Sequence, residues 1–273
     1  MIVDGKKIAG EIKDSLKRDV LGLAQKPVLA IVKVGNDLVT EKFLNQKKKF
    51  ASDIGVSVVV HEFPVDISTR QLREEVLKLA SAEEISGVVI QLPLPQNIDA
   101  DYITNVLPEE KDPDMLSQKS ASLFVSGKSK ILPPVAGAVK SIFTAYGIKL
   151  TEKNAVVVGA GKLVGKPVAA WLGNQGVSVA VVDEHTLDPR RFTLRADIIV
   201  SGVGKPNLVS AEMVKDGVVA IDCGTSESAG QISGDIDSRV AEKASIFTPV
   251  PGGVGPITVA MLFSNLIELA KMK

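Results

Sequence analysis

Phe43 and Lys47 stand four residues apart in a stretch of helical pattern, so they share one helix face. A lysine facing a pocket near other cations has a lowered pKa, which suits proton transfer or activation of a leaving group. Lys48 and Lys49 follow directly, turned by about 100° and 200° on a helix of 3.6 residues per turn. The run also reads as a solvated basic face, and spacing alone favours that reading. Gln91 ends the apolar run GVVIQL, at the strand end where open α/β sheets hold ligands, although a polar strand terminus looks the same. Asp112 and Asp114 flank Pro113 in EEKDPDML. A carboxylate accepts two hydrogen bonds and would suit the donor-rich edge of a heterocycle. Asp-Pro pairs also make turns without function.

A second constellation lies in AVVVGAGKLVGKPVAAWL, where Gly159, Gly161 and Gly165 follow a strand pattern and precede a helical one. Glycines there let the chain turn tightly and let backbone N–H groups approach a pyrophosphate, to which the helix N-terminus adds its positive dipole end. The spacing is one residue longer than the common dinucleotide fingerprint, and a tight turn with no ligand is the alternative. Asp183 comes 24 residues after Gly159, at the end of the next strand pattern. An acid there hydrogen-bonds a ribose 2′-hydroxyl and repels a 2′-phosphate; Glu184 adds to the repulsion, and Ala160 and Gly161 bring no cation. The expected cofactor is therefore NAD or NADP, with a preference for NAD. The DEHT segment would equally serve as a solvated turn. Near the end, TPVPGGVGP sets three prolines and three glycines between Phe247 and Ile257. Such a loop is stiff and presents free N–H groups, so Pro251, Gly252 and Gly253 could wall a ligand or merely join a domain to the tail helix.

The elements that must position these residues alternate as in α/β layers. The patterns predict helices at 5–24, 40–54, 69–81, about 99–106, 168–174 and 258–273. They predict strands at 28–34, 56–62, 87–92, 155–158, 177–182, 197–200 and 218–222. Residues 108–134 read as one long irregular stretch. The second α/β unit begins near Asn154, and the later strands are continuous apolar runs of the buried parallel kind.

Composition narrows the classes. The chain has 273 residues, with 32 basic and 32 acidic side chains, and 45% of it is hydrophobic, enough for a real core. Zero net charge and 4% aromatic residues argue against a nucleic-acid partner. No run reads as a membrane span or a signal peptide, and one cysteine, Cys223, fits a cytoplasmic setting. His61 and His185 lie far apart, so no zinc-type ligand pattern exists and no metal is expected.

Taken together, VDGKKIA, VGND, the Phe43–Lys47 helix, VVIQLPLP, EEKDPD, VVVGAGKLVGKPVA, ADIIVSGVGKP, VVAIDCG, GDID and TPVPGGVGPITVAML resemble one family over nearly the whole chain. It is the bifunctional methylenetetrahydrofolate dehydrogenase/methenyltetrahydrofolate cyclohydrolase family. The resemblance implies an α/β fold of two domains. A substrate domain (1–145 with 258–273, completed by the C-terminal helix) faces a Rossmann-like parallel-sheet domain (146–257) across a cleft. It implies a homodimer, tetrahydrofolate derivatives as substrates, oxidation by NAD(P) and then hydrolysis. It also implies Lys47 as the catalytic lysine, Gln91 as its partner and Asp114 as the carboxylate holding the pterin. Phe43, Pro251, Gly252 and Gly253 would line the folate site, and Gly159, Gly165, Val203 and Gly204 the dinucleotide site.

The chain departs from the family pattern at several points. Phe43 replaces a tyrosine, and DPDM, with Met115, replaces DVDG. PPVA at 133–136 replaces PCTP. Ala160–Gly161 replaces Arg-Ser, and Asp183–Glu184 replaces His-Ser. A dehydrogenase without hydrolase activity, a weakly active folate- or nucleotide-binding homologue, and a dehydrogenase acting on another pterin are the alternatives these departures raise.

Overall fold

The computed structural model describes residues 1–35, 38–228 and 231–272; Asn36 and Asp37 of the VGND segment lie outside the described residues. Along the chain, α1 (Gly5–Leu21) leads to β1 (Val28–Val34), α2 (Leu38–Ile54), β2 (Ser57–Phe63), α3 (Thr69–Ser81), β3 (Gly87–Ile90), α4 (Ala100–Thr104) and α5 (Gln118–Val125). There follow α6 (Pro134–Ala145), β4 (Asn154–Val158), α7 (Gly165–Asn174), β5 (Ser178–Val182), α8 (Arg190–Thr193), β6 (Ile198–Ser201) and β7 (Val219–Asp222). A short hairpin of β8 (Ser226–Ser228) and β9 (Gln231–Ser233) precedes α9 (Val240–Lys243), β10 (Ile246–Phe247) and α10 (Val254–Lys271).

The chain divides into two compact units, residues 10–134 with 259–273 and residues 1–9 with 135–258. In the first, β2, β1 and β3 form a parallel sheet in that order. Alternation along β1 sends Leu29 and Ile31 to one face, where they pack with Leu44 of α2 and Phe263, Leu266 and Ile267 of α10. Ala30 and Val32 go to the other, against Leu72 and Val76 of α3. Phe50 stacks on Phe263, with ring centroids 5.3 Å apart. The apolar length of α10 therefore belongs to this core.

The second unit holds a parallel sheet ordered β10-β7-β6-β4-β5. Val156, Val158, Ile199 and Ala220 supply its core with Val209, Val218 and Val240.

Three expectations need correction. The stretch 108–134 contains α5, started by Ser117, whose Oγ accepts from Ser120 N. Its sequence QKSASLFV buries only Ser120 and Phe124, so it carries almost no apolar period. The tail helix starts at Val254, four residues before the expected Thr258, because Pro256 and Gly255 fall in its first turn, where proline lacks no needed donor. The division between the units also differs from the expected 145/146 and 257/258. Val3 N donates to Phe247 O at 2.8 Å and Phe143 of α6 packs on Trp171 at 5.7 Å, which draws residues 1–9 and α6 into the second unit.

Candidate functional site

The first unit builds a polar cluster at the carboxyl end of its sheet. α2 follows β1, and its first turn is anchored by Glu41, which pairs with the buried Lys33 of β1; Glu62 of β2 adds a second charge at 3.7 Å. Phe43 and Lys47 follow on the same helix. Lys47 Nζ donates to Gln91 Oε1 at 2.8 Å, and Gln91 Nε2 donates to Leu92 O at 3.0 Å, which turns the amide oxygen toward the lysine. Gln91 itself is buried just past β3, its N–H donating to Val32 O at 2.8 Å.

Asp114 couples electrostatically to Lys47. Burial pushes the Lys47 amine below its ordinary range, and the Asp114 charge opposes that. The expected cause, neighbouring cations, is replaced by desolvation. Burial likewise pushes the Asp114 carboxyl up, Lys47 opposes, and Asp112 adds to the rise. The two aspartates have separate jobs. Asp112 is fully buried and accepts from Leu116 N at 3.1 Å and Ser117 N at 2.9 Å, so it shapes the loop. Met115 takes a left-handed φ of 55° with its side chain buried. The turn that glycine would make without penalty persists here at a cost of about 1–2 kcal/mol.

Asn265 of α10 was not singled out from the sequence. Its Nδ2 donates to Pro113 O and Leu132 O, both at 2.8 Å, and so ties down the loop between Asp112 and Asp114. Its only sequence signal is a polar residue on the apolar side of a helix. Asn265→Leu keeps the number of side-chain heavy atoms but leaves two carbonyls without their donor. The expected loss is roughly 1–3 kcal/mol of stability, read by thermal denaturation; an unchanged melting temperature would deny the tether.

The second unit carries the glycine turn. Gly159 has φ +98°, and a Cβ there would lie 2.8 Å from Val203 Cγ2. A Cβ on Gly165 would lie 1.9 Å from Gly159 O, whereas one on Gly161 would meet nothing within 4 Å. The turn is therefore closed on itself at Gly159 and Gly165 and open at Ala160–Gly161. α7 starts with no side-chain cap, but Lys166 N already donates to Gly161 O at 3.0 Å and Pro167 carries no N–H, so its first turn keeps few donors and the open part of the glycine turn is the place for a ligand. These features fit a dinucleotide pyrophosphate. Val203, 47% exposed, lies after β6 and beside the turn, and Gly204 follows it with φ +81°. Asp183, after β5, accepts from His185 N at 3.0 Å and Thr186 Oγ1 at 3.4 Å through Oδ1, so it also organises the DEHT turn.

Pro251, Gly252 and Gly253 belong to this second unit, not to the unit holding Lys47. Gly253 N donates to Pro249 O at 2.8 Å, and Gly5 N to Gly252 O at 3.1 Å. A Cβ on Gly5 would sit 1.7 Å from Gly253 O, so the VDGK glycine is what lets α1 start against this loop. Thus Lys47, Gln91, Asp114 and Phe43 gather in one unit; the glycine turn, Asp183, Val203, Gly204 and the 251–253 loop belong to the other. Among the described residues no group of three or more His, Cys, Asp or Glu could hold a metal.

Comparison with known proteins bears on both units. Residues 3–114 match the catalytic domain of tetrahydrofolate dehydrogenase/cyclohydrolase, and residues 133–273 match its NAD(P)-binding domain. The bifunctional protein FolD of Nautilia profundicola is 41% identical over 275 residues, which cover 99% of this chain and 97% of that protein. The crystal structure of FolD from Campylobacter jejuni, a methylenetetrahydrofolate dehydrogenase/cyclohydrolase, superposes with a TM-score of 0.96 at 33% identity, covering 100% of this chain and 99% of that one. The Trypanosoma brucei enzyme, solved with NADP and an inhibitor, gives 0.94 at 31% identity, with coverages of 100% and 97%.

Proposed function

Because the chain belongs to the tetrahydrofolate dehydrogenase/cyclohydrolase family, we propose that it performs two consecutive steps of one-carbon metabolism. It oxidises 5,10-methylenetetrahydrofolate to the 5,10-methenyl compound with NAD(P), then hydrolyses that product to 10-formyltetrahydrofolate. In the first step a hydride leaves the methylene carbon with its electron pair, and the folate becomes a cation. In the second, water adds to the methenyl carbon, one C–N bond opens and a proton is released. The bound nicotinamide supplies the hydride acceptor.

The observation that carries this reading is the Lys47–Gln91 hydrogen bond with Asp114 coupled to it. In this reading Asp114 accepts hydrogen bonds from the pterin edge, Phe43 packs on the folate, and Lys47 stands beside the one-carbon unit. Gln91 keeps the Lys47 amine in place for water attack. Gly159, Ala160, Gly161 and Gly165 take the pyrophosphate, with Val203 and Gly204 beside it. Asp183 and Glu184 favour NAD by repelling a 2′-phosphate. Comparing kcat/KM for NAD and NADP with methylenetetrahydrofolate tests the step and the choice together: NAD is expected to win by tenfold or more. Equal values would remove the preference, and no turnover with either would overturn the dehydrogenase. We further assign a cytoplasmic homodimer. Its support is β5, an edge strand with Val181 45% exposed, and edge strands invite pairing. Sedimentation at a monomer mass would refute the dimer.

Phe43 favours a second reading, a dehydrogenase without the hydrolase, since it lacks the hydroxyl that the family's tyrosine offers Lys47. Gln91 already holds that amine, so Phe43→Tyr is expected to change the hydrolase rate by less than about tenfold, one neutral hydrogen bond's worth. A jump from no measurable hydrolysis to a normal rate would establish the second reading.

A further inference from the structure

The carboxylate of Asp235 is fully buried and collects four donors. Oδ2 accepts from Ser201 Oγ at 2.8 Å and Val203 N at 2.6 Å; Oδ1 accepts from Gly204 N at 2.9 Å and Lys205 N at 2.8 Å. Three consecutive backbone N–H groups thus converge on one side chain, in the manner of an anion-binding nest filled by the protein's own carboxylate. Backbone packs closely against the carboxylate. A Cβ on Gly224 would lie 2.1 Å from Asp235 Oδ1. The neighbouring Asp222 mirrors it, accepting from Gly224 N at 2.9 Å, Asp235 N at 3.1 Å and Ile236 N at 2.8 Å. It has Gly234 against it as Gly224 lies against Asp235. The segment that Asp235 holds reaches the glycine turn directly, because the Val203 side chain fills the space a Cβ on Gly159 would need.

We infer that Asp235 is a positioning residue for the nucleotide: it sets the backbone of Val203–Lys205 and, through Val203, the packing face of the glycine turn at Gly159. This rests on the reading of Gly159, Val203 and Gly204 as the cofactor site. An asparagine at 235 supplies one oxygen in place of two and turns an N–H₂ toward Val203 N or Gly204 N, donor against donor. The turn must then move, while the Lys47 cluster of the other unit keeps its own hydrogen bonds.

The test measures NAD and NADP dissociation constants by calorimetry, beside hydrolysis of methenyltetrahydrofolate in the absence of nucleotide. Asp235→Asn is expected to weaken nucleotide binding about tenfold or more, raising KM for the nucleotide more than it lowers kcat, with hydrolysis within twofold of the parent. Gly224→Ala, which pushes the carboxylate aside, is expected to do the same. Parent-like nucleotide affinity in both variants overturns the inference. If both variants unfold, Ser201→Ala decides. It removes one of the four donors, and a severalfold weaker nucleotide affinity with normal hydrolysis supports the role, whereas unchanged affinity overturns it. A parent protein that binds neither NAD nor NADP would instead overturn the cofactor reading itself.

Discussion

Replacing Lys47 by methionine is expected to lower hydrolysis of methenyltetrahydrofolate by about 10²–10⁴-fold, the range for removing a positioned proton-transfer group. The argument is geometric first. The amine sits 2.8 Å from a buried, oriented amide oxygen; Phe43 and Gln91 carry no titratable group, and Asp114 is committed to the pterin edge in the proposed reading. The same substitution costs Gln91 Oε1 its donor and changes how stability depends on pH. The native Lys47 amine has a lowered pKa, so between that value and the ordinary lysine value the unfolded chain binds more protons, and stability rises with pH across that window. Below it the buried charge is a burden that methionine lacks. Thermal denaturation from pH 7 to 10 should therefore show the parent gaining on the variant. Full hydrolase activity in the variant would remove Lys47 from the mechanism.

Gly165→Ala is expected to act as strongly on the other unit. Its Cβ would lie 1.9 Å from Gly159 O and 2.7 Å from Gly159 C, both backbone, so no flexible side chain can yield. Overpacking of this kind costs about 1–3 kcal/mol, and the shift falls on the turn that would hold the pyrophosphate. A loss of nucleotide affinity of tenfold or more is expected, together with a lower melting temperature. Gly161→Ala is the control. Its Cβ meets nothing, so stability should stay within about 0.5 kcal/mol while nucleotide affinity still falls, because the ligand must approach there. Equal effects of the two substitutions on stability would contradict this picture of a turn closed at one end and open at the other.

Much of this arrangement was legible in the residues. β1 and α3 follow the predicted bounds because their signals are clear, four β-branched residues in a seven-residue run ended by Gly35 in one and a capping box at Ser68 in the other. The glycine turn was readable because glycine spacing reports backbone shape directly. α5 was hidden because its few apolar residues carry no period, and the start of α10 because glycine and proline in a first turn look like a loop. The Lys47–Gln91 bond joins residues 44 apart, which local spacing cannot reveal; only the resemblance paired them. Asn265 was illegible for a related reason, and Asp235 stood in the GDID segment with no role of its own. Their partners are mostly backbone groups of distant segments, which side-chain patterns do not reveal.

Whether one chain both oxidises and hydrolyses is decided by supplying 5,10-methylenetetrahydrofolate and NAD and following NADH and the methenyl band in the same cuvette. NADH is expected to rise while the methenyl compound stays at a low steady level, with 10-formyltetrahydrofolate as the product. Methenyl compound accumulating mole for mole with NADH, beyond its spontaneous hydrolysis, would contradict that expectation.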